Sequence, residues 1–333
     1  MKLVVTGALG HIGSRFIRAL RPGDWSEVVL LDNLSTQRYV SLFDLPAAIP
    51  YRFCEEDILT ADLKRHIEGA YAVVHLAAIA DPGRALADPE GVERINHEGT
   101  ARVARACAAA GARLFFPSST SVYGDLGAPG DRAAPSSRCE GGPVVTRVAD
   151  ETLDPDALRP RGPYAEGKLR TERLLAGLAR TDGLRYNVAR FGTIFGVSPG
   201  MRFHTAVNRF TWQACTGLPL TVWRTALHQV RPYLDVADAA AAIGLFLKRD
   251  LFDGDVWNVV TTEVTVDDVV ALLRRHVPEL EVNLVDSPLM TEASYTVSTR
   301  KLRAAGFESS GSLELGIAET VARLKGLRAA REP

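Results

Sequence analysis

Cysteine is scarce in this chain of 333 residues, and no uninterrupted apolar stretch reaches membrane-spanning length. The four cysteines are Cys54, Cys107, Cys139 and Cys215. Because they show no Cys-x-x-Cys spacing, they are expected to be free thiols in a reducing cytoplasm, with no zinc site. The first residues enter a predicted strand at once, which leaves no room for a signal peptide. The sequence therefore predicts a cytoplasmic protein with no membrane partner and no metal.

An excess of charge of either sign is missing as well. The chain has 39 Lys and Arg against 40 Asp and Glu, a formal net charge of −1, and no sustained basic cluster. This balance argues against nucleic acid or an anionic membrane surface as an obligate partner. The composition, 46% apolar and 24% charged, is that of an ordinary soluble globular protein.

Short strands rich in Val, Leu and Ala alternate with helical patterns through the first two-thirds of the chain. Strands are predicted at 2–6, 26–32, 51–54, 71–77, 113–117 and 184–190. Helices are predicted near 11–20, 61–68, 90–111, 163–180, 235–248 and 265–276. This alternation is typical of the α/β class, with a Rossmann-type, doubly wound parallel sheet covered by helices on both faces.

Three glycines follow the first predicted strand in the spacing Gly7-x-x-Gly10-x-x-Gly13. They permit a tight turn and close approach of a pyrophosphate to the backbone, and the next helix offers its N-terminal N–H groups to the phosphates. Asp32 ends the second strand, 19 residues after Gly13. A carboxylate there accepts hydrogen bonds from both ribose hydroxyls and repels a 2′-phosphate. The pattern predicts a dinucleotide site that prefers NAD to NADP.

Two further strand ends agree with this site. Asp57 and Ile58 follow the third strand, where the carboxylate is expected to meet the adenine amino group and the aliphatic side chain the adenine face. Leu76, Ala77 and Ala78 follow the fourth strand, where small residues let the backbone approach a cofactor.

A helix opens with Pro163 and carries Tyr164 and Lys168, which are four residues apart and share one helical face. A free tyrosine, with a pKa of about 10, is a poor base at neutral pH. A neighbouring ammonium, together with a positive nicotinamide ring, stabilises the phenolate and lowers that pKa. The hydroxyl-rich stretch 118–121 at the end of the fifth strand is either a polar turn or a row of donors aimed at a substrate.

Together these motifs resemble the extended short-chain dehydrogenase/reductase family, and most of all its nucleotide-sugar epimerases and dehydratases. The resemblance runs from residue 1 to about 260 and includes Ser119 ahead of Val122-Tyr123-Gly124. We expect an NAD-binding Rossmann domain at 1–190, with a long loop at 125–162. A smaller substrate-binding subdomain is expected at 191–333, of which 233–262 returns to the Rossmann core.

The resemblance implies roles for individual residues. Ser119, Tyr164 and Lys168 are the predicted catalytic residues. Arg231 matches an arginine that holds the sugar nucleotide's pyrophosphate, and Trp223 an aromatic residue beside the nucleotide base. The predicted cofactor-binding residues are Gly7, Gly10, His11, Ile12, Gly13, Asp32, Asn33, Asp57, Ile58, Leu76, Ala77, Ala78, Asn96, Tyr164, Lys168 and Phe191. The predicted substrate-binding residues are Thr120, Ser121, Thr193, Arg202, Trp223 and Arg231. A homodimer through the helices near 95–111 and 164–180 is also expected.

The residues after Ser119 distinguish between reactions within the family. In the dehydratases that eliminate water across C5 and C6, the positions matching Thr120 and Ser121 resemble Asp-Glu, and neutral hydroxyls cannot replace that acid and base. In the fucose-synthase type, the residue matching Ser121 is a cysteine that abstracts a proton. The sequence therefore favours NAD-dependent epimerisation of a nucleotide sugar at C4, through a 4-keto sugar. The alternatives are a dehydratase, a 4-keto-sugar reductase, and a non-catalytic dinucleotide-binding sensor.

Three features depart from the family pattern. Thr193 stands where many relatives carry an asparagine, and a threonine there resembles the epimerases of nucleotide-linked uronic acids. Ser119 and Tyr164 lie 45 residues apart, and the excess is the Gly- and Pro-rich segment 127–148, which we expect to close over the sugar. Arg202 and His204 open the next helix, where Arg202 either contacts a phosphate or carboxylate or faces solvent.

Overall fold

A parallel sheet of seven strands forms the centre of the molecule. The computed structural model describes residues 1–124, 147–286, 294–324 and 326–327, without the side chains of residues 82, 85, 86 and 147. The strands are β1 (Lys2–Thr6), β2 (Glu27–Asp32), β3 (Tyr51–Glu55), β4 (Ala70–His75), β5 (Arg113–Ser119), β6 (Arg147–Ala149), β7 (Tyr186–Phe191), β8 (Thr193–Phe195), β9 (Leu220–Trp223), β10 (Arg231–Asp235), β11 (Asp253–Val259), β12 (Thr262–Val264), β13 (Val282–Val285) and β14 (Tyr295–Val297). The α-helices are α1 (His11–Ala19), α2 (Leu63–Ile67), α3 (Pro82–Ala87), α4 (Pro89–Glu93), α5 (Thr100–Ala110), α6 (Pro163–Asp182), α7 (Ala206–Thr216), α8 (Val236–Arg249), α9 (Val266–His276), α10 (Arg300–Ala304) and α11 (Leu313–Leu324).

The strand order places a crevice beside β1. The order across the sheet is β11-β7-β5-β4-β1-β2-β3, and all neighbouring strands are parallel. The chain moves outward from β1 to β3, then crosses back to β4, so the order reverses at β1. Ligands of such sheets bind beyond the carboxyl ends of the strands at this reversal. The predicted Rossmann-type fold is confirmed.

Apolar strands bury both faces of the sheet under helices. On one face α1 packs against α8, and Phe16 and Phe246 lie in the core between these helices and the strands. On the other face α5 packs against α2 and α6, with Val103 and Leu175 fully buried. These two layers cover the sheet, and predicted site residues such as Asp32 and Ser119 lie at the carboxyl ends of its strands.

Three small sheets stand beside the main sheet. Their orders are β12-β10-β8, β13-β9 and β14-β6. Helices α7, α9 and α11 pack around a separate core that includes Phe195, Phe210, Leu220 and Val269. Within residues 233–262, α8 packs on α1 and β11 pairs with β7 of the main sheet.

Several segments differ from the sequence predictions. No strand is predicted at β11, which forms one edge of the main sheet. The helix predicted at 90–111 is α4, then a π-helical turn at Arg94–Gly99, then α5. The loop predicted at 125–162 contains β6, which pairs with β14, a strand about 150 residues later in the chain. Residues 125–146, which hold most of the expected lid, lie outside the described residues. None of the described helices is long and apolar enough to cross a membrane.

Candidate active site

The glycine-rich turn between β1 and α1 forms one wall of a cavity. Gly7 has φ 62, and a Cβ there would lie 2.5 Å from the backbone nitrogen of Ala77, so only glycine allows this approach of the strand ends. A Cβ on Gly13 would lie 2.6 Å from the Gly7 carbonyl oxygen. Helix α1 begins after Gly10 without a side-chain cap. Its first N–H groups are therefore free to bind an anion.

Two carboxylates lie at the ends of β2 and β3. The Asp32 carboxylate accepts hydrogen bonds from the Leu9 and Leu34 amides, both at 3.0 Å. Asn33 Nδ2 donates to Asp57 Oδ2 at 2.8 Å, so the two loops are tied together. Both carboxylates line the cavity. They are held in place by neutral donors, and each oxygen keeps a lone pair for a ligand hydroxyl or amine.

Segment 196–200 packs against the glycine-rich turn from the other side. His11 Nε2 hydrogen-bonds to the Gly196 carbonyl at 2.8 Å, and Arg38 Nη1 donates to the Gly200 carbonyl at 2.8 Å. A Cβ on Gly200 would collide with the Leu9 and Gly10 carbonyls. Burial lowers the pKa of His11 to about 4, against the effect of the Gly196 carbonyl, so this imidazole is neutral at neutral pH.

A chain of buried hydrogen bonds supports the end of β4. Thr6 Oγ1 lies 2.7 Å from His75 Nδ1, His75 Nε2 lies 2.9 Å from Thr100 Oγ1, and the Thr100 hydroxyl donates to the Asn96 carbonyl at 2.6 Å. Burial lowers the pKa of His75 to about 3, so the imidazole is neutral. The Asn96 side chain exchanges two hydrogen bonds with the Ile79 backbone, both at 2.8 Å. Asn96 therefore acts on the cavity wall through Ile79 and does not line the cavity itself.

Tyr164 and Lys168 project from the first turns of α6, which begins at Pro163. Lys168 is buried, and its Nζ donates to the Pro117 carbonyl at 2.8 Å and lies 5.8 Å from the centre of the Tyr164 ring. Ser119, at the end of β5, lines the same cavity as Tyr164 and Lys168. The structure thus brings the three predicted catalytic residues together.

Burial dominates the pKa of both groups on α6. It raises the pKa of Tyr164 to about 12, opposed by the Arg202 guanidinium. It lowers the pKa of Lys168 to about 8, opposed by the Glu172 carboxylate. From the sequence, Lys168 and a nicotinamide ring are expected to lower the pKa of Tyr164. In the structure the cation that opposes the rise of this pKa is Arg202, and the phenol of the protein alone is protonated at neutral pH.

The hydroxyl stretch 118–121 leads from β5 into a short helical turn capped by Ser119. Ser121 gives Ser119 Oγ two hydrogen bonds, from its hydroxyl at 2.8 Å and its amide at 3.2 Å. Since Ser119 Oγ already accepts two bonds, its own proton is left to donate into the cavity. The Thr120 hydroxyl lies 3.1 Å from the Tyr295 hydroxyl and is buried. The stretch therefore forms the polar turn, while Ser118, Thr120 and Ser121 bond to other protein groups and only the Ser119 proton is left for a ligand.

The far side of the cavity is rich in arginine. Arg202 lines it beside Tyr164, and Arg202 Nε is buried without a hydrogen-bond partner among the described residues. Burial lowers the pKa of Arg202, opposed by Tyr164 and Asp81. Burial and the Arg202 charge lower the pKa of His204, so Arg202 is the cation of this pair at neutral pH. The arginine therefore faces the cavity and not solvent.

One cavity of about 700 Å³ collects the predicted site residues. With the exception of Asn96, all the predicted catalytic, cofactor-binding and substrate-binding residues line it. The cavity is also lined by residues that were not predicted from the sequence, among them Arg38, Arg84, Arg161, Arg209 and Tyr295. Arg38 follows Asp32 closely in a loop after a strand end and was open to prediction. Tyr295 comes from the distant strand β14 and carried no such signal.

One group of potential metal ligands lies apart from the catalytic residues. Cys54 Sγ, a Glu56 oxygen and a His66 nitrogen lie within 4.8 Å of one another. His66 Nε2 is 3.1 Å from the Glu56 carboxylate, and Arg52 Nη1 donates to Cys54 Sγ at 3.5 Å. Because a guanidinium next to the thiol repels a cation, we interpret the group as a hydrogen-bonded cluster. Cys107 and Cys215 are also free thiols, and the remaining cysteine lies outside the described residues.

The cavity fits a dinucleotide at one end and is lined by arginines, among them Arg202 and Arg231, at the other. The uncapped start of α1 and the backbone contact at Gly7 suit a pyrophosphate, while Asp32 suits a ribose. Ser119, Tyr164 and Lys168 stand between the two ends. This fold and this site define an enzyme of the Rossmann type that uses a dinucleotide.

Comparisons with known proteins give the family. A model of the NAD dependent epimerase/dehydratase family matches residues 3–259. An uncharacterized UDP-glucose epimerase of Bacillus subtilis (strain 168), YtcB, is 26% identical over 98% of this chain and 99% of its own. The dTDP-glucose 4,6-dehydratase of Streptomyces griseus is 30% identical over 96% of this chain and 93% of its own. The solved structure of MoeE5 with UDP-glucuronic acid and NAD has a TM-score of 0.78, at 25% identity over 97% of this chain and 98% of its own.

The chain belongs to the NAD dependent epimerase/dehydratase family. The predicted resemblance and the predicted cofactor, NAD, are confirmed.

Proposed function

We propose that the protein is an NAD-dependent epimerase that inverts C4 of a nucleotide-activated sugar through a 4-keto sugar. The observation that carries the proposal is that Ser119, Tyr164 and Lys168 line one cavity. The two residues that follow Ser119 in the chain, Thr120 and Ser121, have hydroxyl side chains and line the same cavity. The proposed cofactor end of the cavity is formed by the glycine-rich turn, Asp32, Asp57 and the backbone after β4. The proposed substrate end is formed by Thr193, Arg202, Trp223 and Arg231.

The side chains divide the work of the proposed reaction. Bound NAD supplies the oxidising power and the positive charge of its nicotinamide ring. Tyr164 takes the proton of the C4 hydroxyl and returns it after the sugar has turned over in the site, while Arg202 and Lys168 supply positive charge around the phenolate. Ser119 donates its proton to the same sugar oxygen, because Ser121 already occupies its acceptor positions.

The hydroxyl side chains favour epimerisation over elimination, although dehydratases are among the relatives. Elimination needs a second acid and base next to the sugar. The carboxylates among the described residues that line the cavity are Asp32, which ends β2, and Glu56 and Asp57, which follow β3. Thr120 and Ser121 stand at the positions after Ser119, and their hydroxyls already bond to Tyr295 and Ser119.

We propose a sugar with a carboxylate, a uronic acid, as the preferred substrate. Support comes from Arg202, whose Nε is buried next to Tyr164 without a hydrogen-bond partner among the described residues. A substrate carboxylate at that position supplies the missing acceptor, and a charged acceptor makes the strongest hydrogen bonds with a guanidinium. MoeE5 has been solved with UDP-glucuronic acid and also with UDP-glucose, so the similarity to it does not separate the two sugars.

We also propose that the protein acts in the cytoplasm as a homodimer through α5 and α6. These two helices lie side by side on one face of the sheet. The light-scattering mass of the NAD-loaded protein tests the dimer, and a monomer at micromolar concentration would contradict it.

The experiment for the proposed function is a screen of nucleotide sugars with the NAD-loaded protein. UDP-glucuronic acid, UDP-glucose and UDP-N-acetylglucosamine are each incubated without added NADH, and isomers of equal mass are separated by chromatography. We expect the C4 epimer to form with no net change in NADH absorbance. A product that has lost water, or a product that forms only with stoichiometric NADH, would replace epimerisation with one of the alternatives.

A further inference from the structure

A buried ion pair lies under the proposed catalytic residues. Glu172 stands one helical turn after Lys168 on α6, on the same face. Arg190, at the end of β7, donates to both of its oxygens, from Nη2 at 2.7 Å and from Nε at 3.2 Å. The Arg190 and Glu172 side chains are only 2% and 7% exposed. Such a pair has a high desolvation cost and adds little stability by itself. The location of the pair next to the site therefore indicates a role other than stabilising the fold.

The Glu172 carboxylate also holds the strand end that carries Ser119. The hydroxyl of Ser118, the residue before Ser119, donates to Glu172 Oε1. Arg190 directly precedes Phe191, which lines the cavity. One carboxylate thus joins β5, α6 and β7 where each of them reaches the site. A shift of this carboxylate moves Ser119 relative to Tyr164 and Lys168.

Glu172 is also the negative charge next to Lys168. Among the described residues, the charged and titratable groups around Lys168 are Tyr164 and Glu172 on α6, His75 on β4, Arg190 on β7, and His97 on the π-helical turn against Thr171. The His75 imidazole is neutral and contributes no charge. Glu172 supplies the only carboxylate among these described groups. Burial lowers the pKa of Lys168 to about 8, and Glu172 opposes this effect.

We propose that Glu172 is a positioning residue of this site, whose carboxylate aligns the Ser119 strand end with α6 and keeps the Lys168 side chain charged at neutral pH. The proposal rests on the proposed function only for its effect on turnover. Its electrostatic part is measurable without any sugar. In this proposal Arg190 holds the Glu172 carboxylate in place.

The test measures the titration of Lys168 directly. The chain has six lysines, so ¹⁵N-lysine labelling of the NAD-loaded protein gives few Nζ signals, and Lys168→Arg assigns the one in question. Glu172→Gln alone leaves the Arg190 charge buried and without its partner, which is expected to destabilise the fold strongly. The informative variant is therefore the double change Glu172→Gln with Arg190→Met. We expect the midpoint of Lys168 to fall by about one pH unit. The alkaline decline of turnover should move with it.

The matched control is Glu166→Gln, an exposed carboxylate on the same helix that should leave the Lys168 midpoint unchanged. A folded double variant with a wild-type Lys168 midpoint would overturn the proposal and leave the pair with a structural role only. Glu172→Asp keeps the charge but shortens the side chain. It should therefore keep the midpoint and lower kcat, with NAD affinity unchanged. Wild-type turnover in Glu172→Asp would contradict the positioning role, even if the double variant fails to fold. Absence of epimerase activity would refute the proposed function and leave the titration test intact.

Discussion

Replacement of Arg202 by methionine tests how the site chooses its sugar. Methionine has a similar length and no charge, so Arg202→Met removes the guanidinium next to Tyr164 and little volume. Arg202 Nε has no hydrogen-bond partner among the described residues, so the change leaves no new unpaired protein acceptor at that atom. The effect on folding is therefore expected to be small, while the contact to a substrate carboxylate is lost.

The magnitude follows from the value of one charged hydrogen bond. Such a bond contributes about 1.5–3 kcal/mol. With about 1.4 kcal/mol for each factor of ten, kcat/KM for UDP-glucuronic acid should fall roughly 10- to 100-fold relative to UDP-glucose. Arg202 also opposes the rise in the Tyr164 pKa, and its loss slows both sugars. This second effect lowers kcat/KM for both sugars by the same factor and therefore cancels in the ratio of their kcat/KM values.

The assay compares kcat/KM for the two UDP-sugars in wild type, in Arg202→Met and in a control. The control is Arg170→Met, an arginine on the outer face of α6 that pairs with Glu93 and is 53% exposed. It should leave both rate constants unchanged. An equal loss for the two sugars in Arg202→Met would refute the carboxylate contact, because a contact specific to the acid must change the ratio.

Three further predictions follow from the same geometry. Tyr164→Phe should lower kcat by about 10²–10⁴-fold while NAD binding and Tm stay unchanged, and near-normal turnover would exclude this residue as the base. Calorimetry should give a much lower Kd for NAD than for NADP, and Asp32→Asn should reduce the ratio of the two Kd values. Equal affinities of the wild-type protein for the two cofactors would refute the role of Asp32. Turnover should decline as pH rises through about 8, because Lys168 loses its proton there, and a flat profile up to pH 10 would contradict the need for its charge.

The parts of the site that the sequence predicts are those set by local spacing. The three glycines, Asp32 and the Tyr164–Lys168 pair each lie on one turn, strand end or helix face. Their geometry therefore follows from the backbone of a single element. Six of the seven strands of the main sheet were predictable because each shows a short run of strand-forming residues. The seventh, β11 (Asp253–Val259), reads Asp-Gly-Asp-Val-Trp-Asn-Val, has no such run and was not predicted.

The parts that the sequence could not predict depend on contacts between distant segments. Tyr295 reaches Thr120 because β14 pairs with β6, and neither short strand has a pattern of its own. The pKa of Tyr164 depends on Arg202, which lies about 40 residues later in the chain, between β8 and α7. The π-helical turn that carries Asn96 replaces a predicted regular helix. It is fixed by the hydrogen bonds of Asn96 to the Ile79 backbone, which a helical pattern does not reveal.

The central claim, C4 epimerisation with NAD as both acceptor and donor of the same hydrogen, is tested most directly with deuterium. UDP-glucuronic acid with deuterium at C4 is incubated with the NAD-loaded protein in ordinary water, and the product is examined by NMR and mass spectrometry. The account predicts the C4 epimer with the same mass and with the deuterium still on C4. Loss of the label to solvent, its transfer to another carbon, or loss of water from the sugar would contradict it.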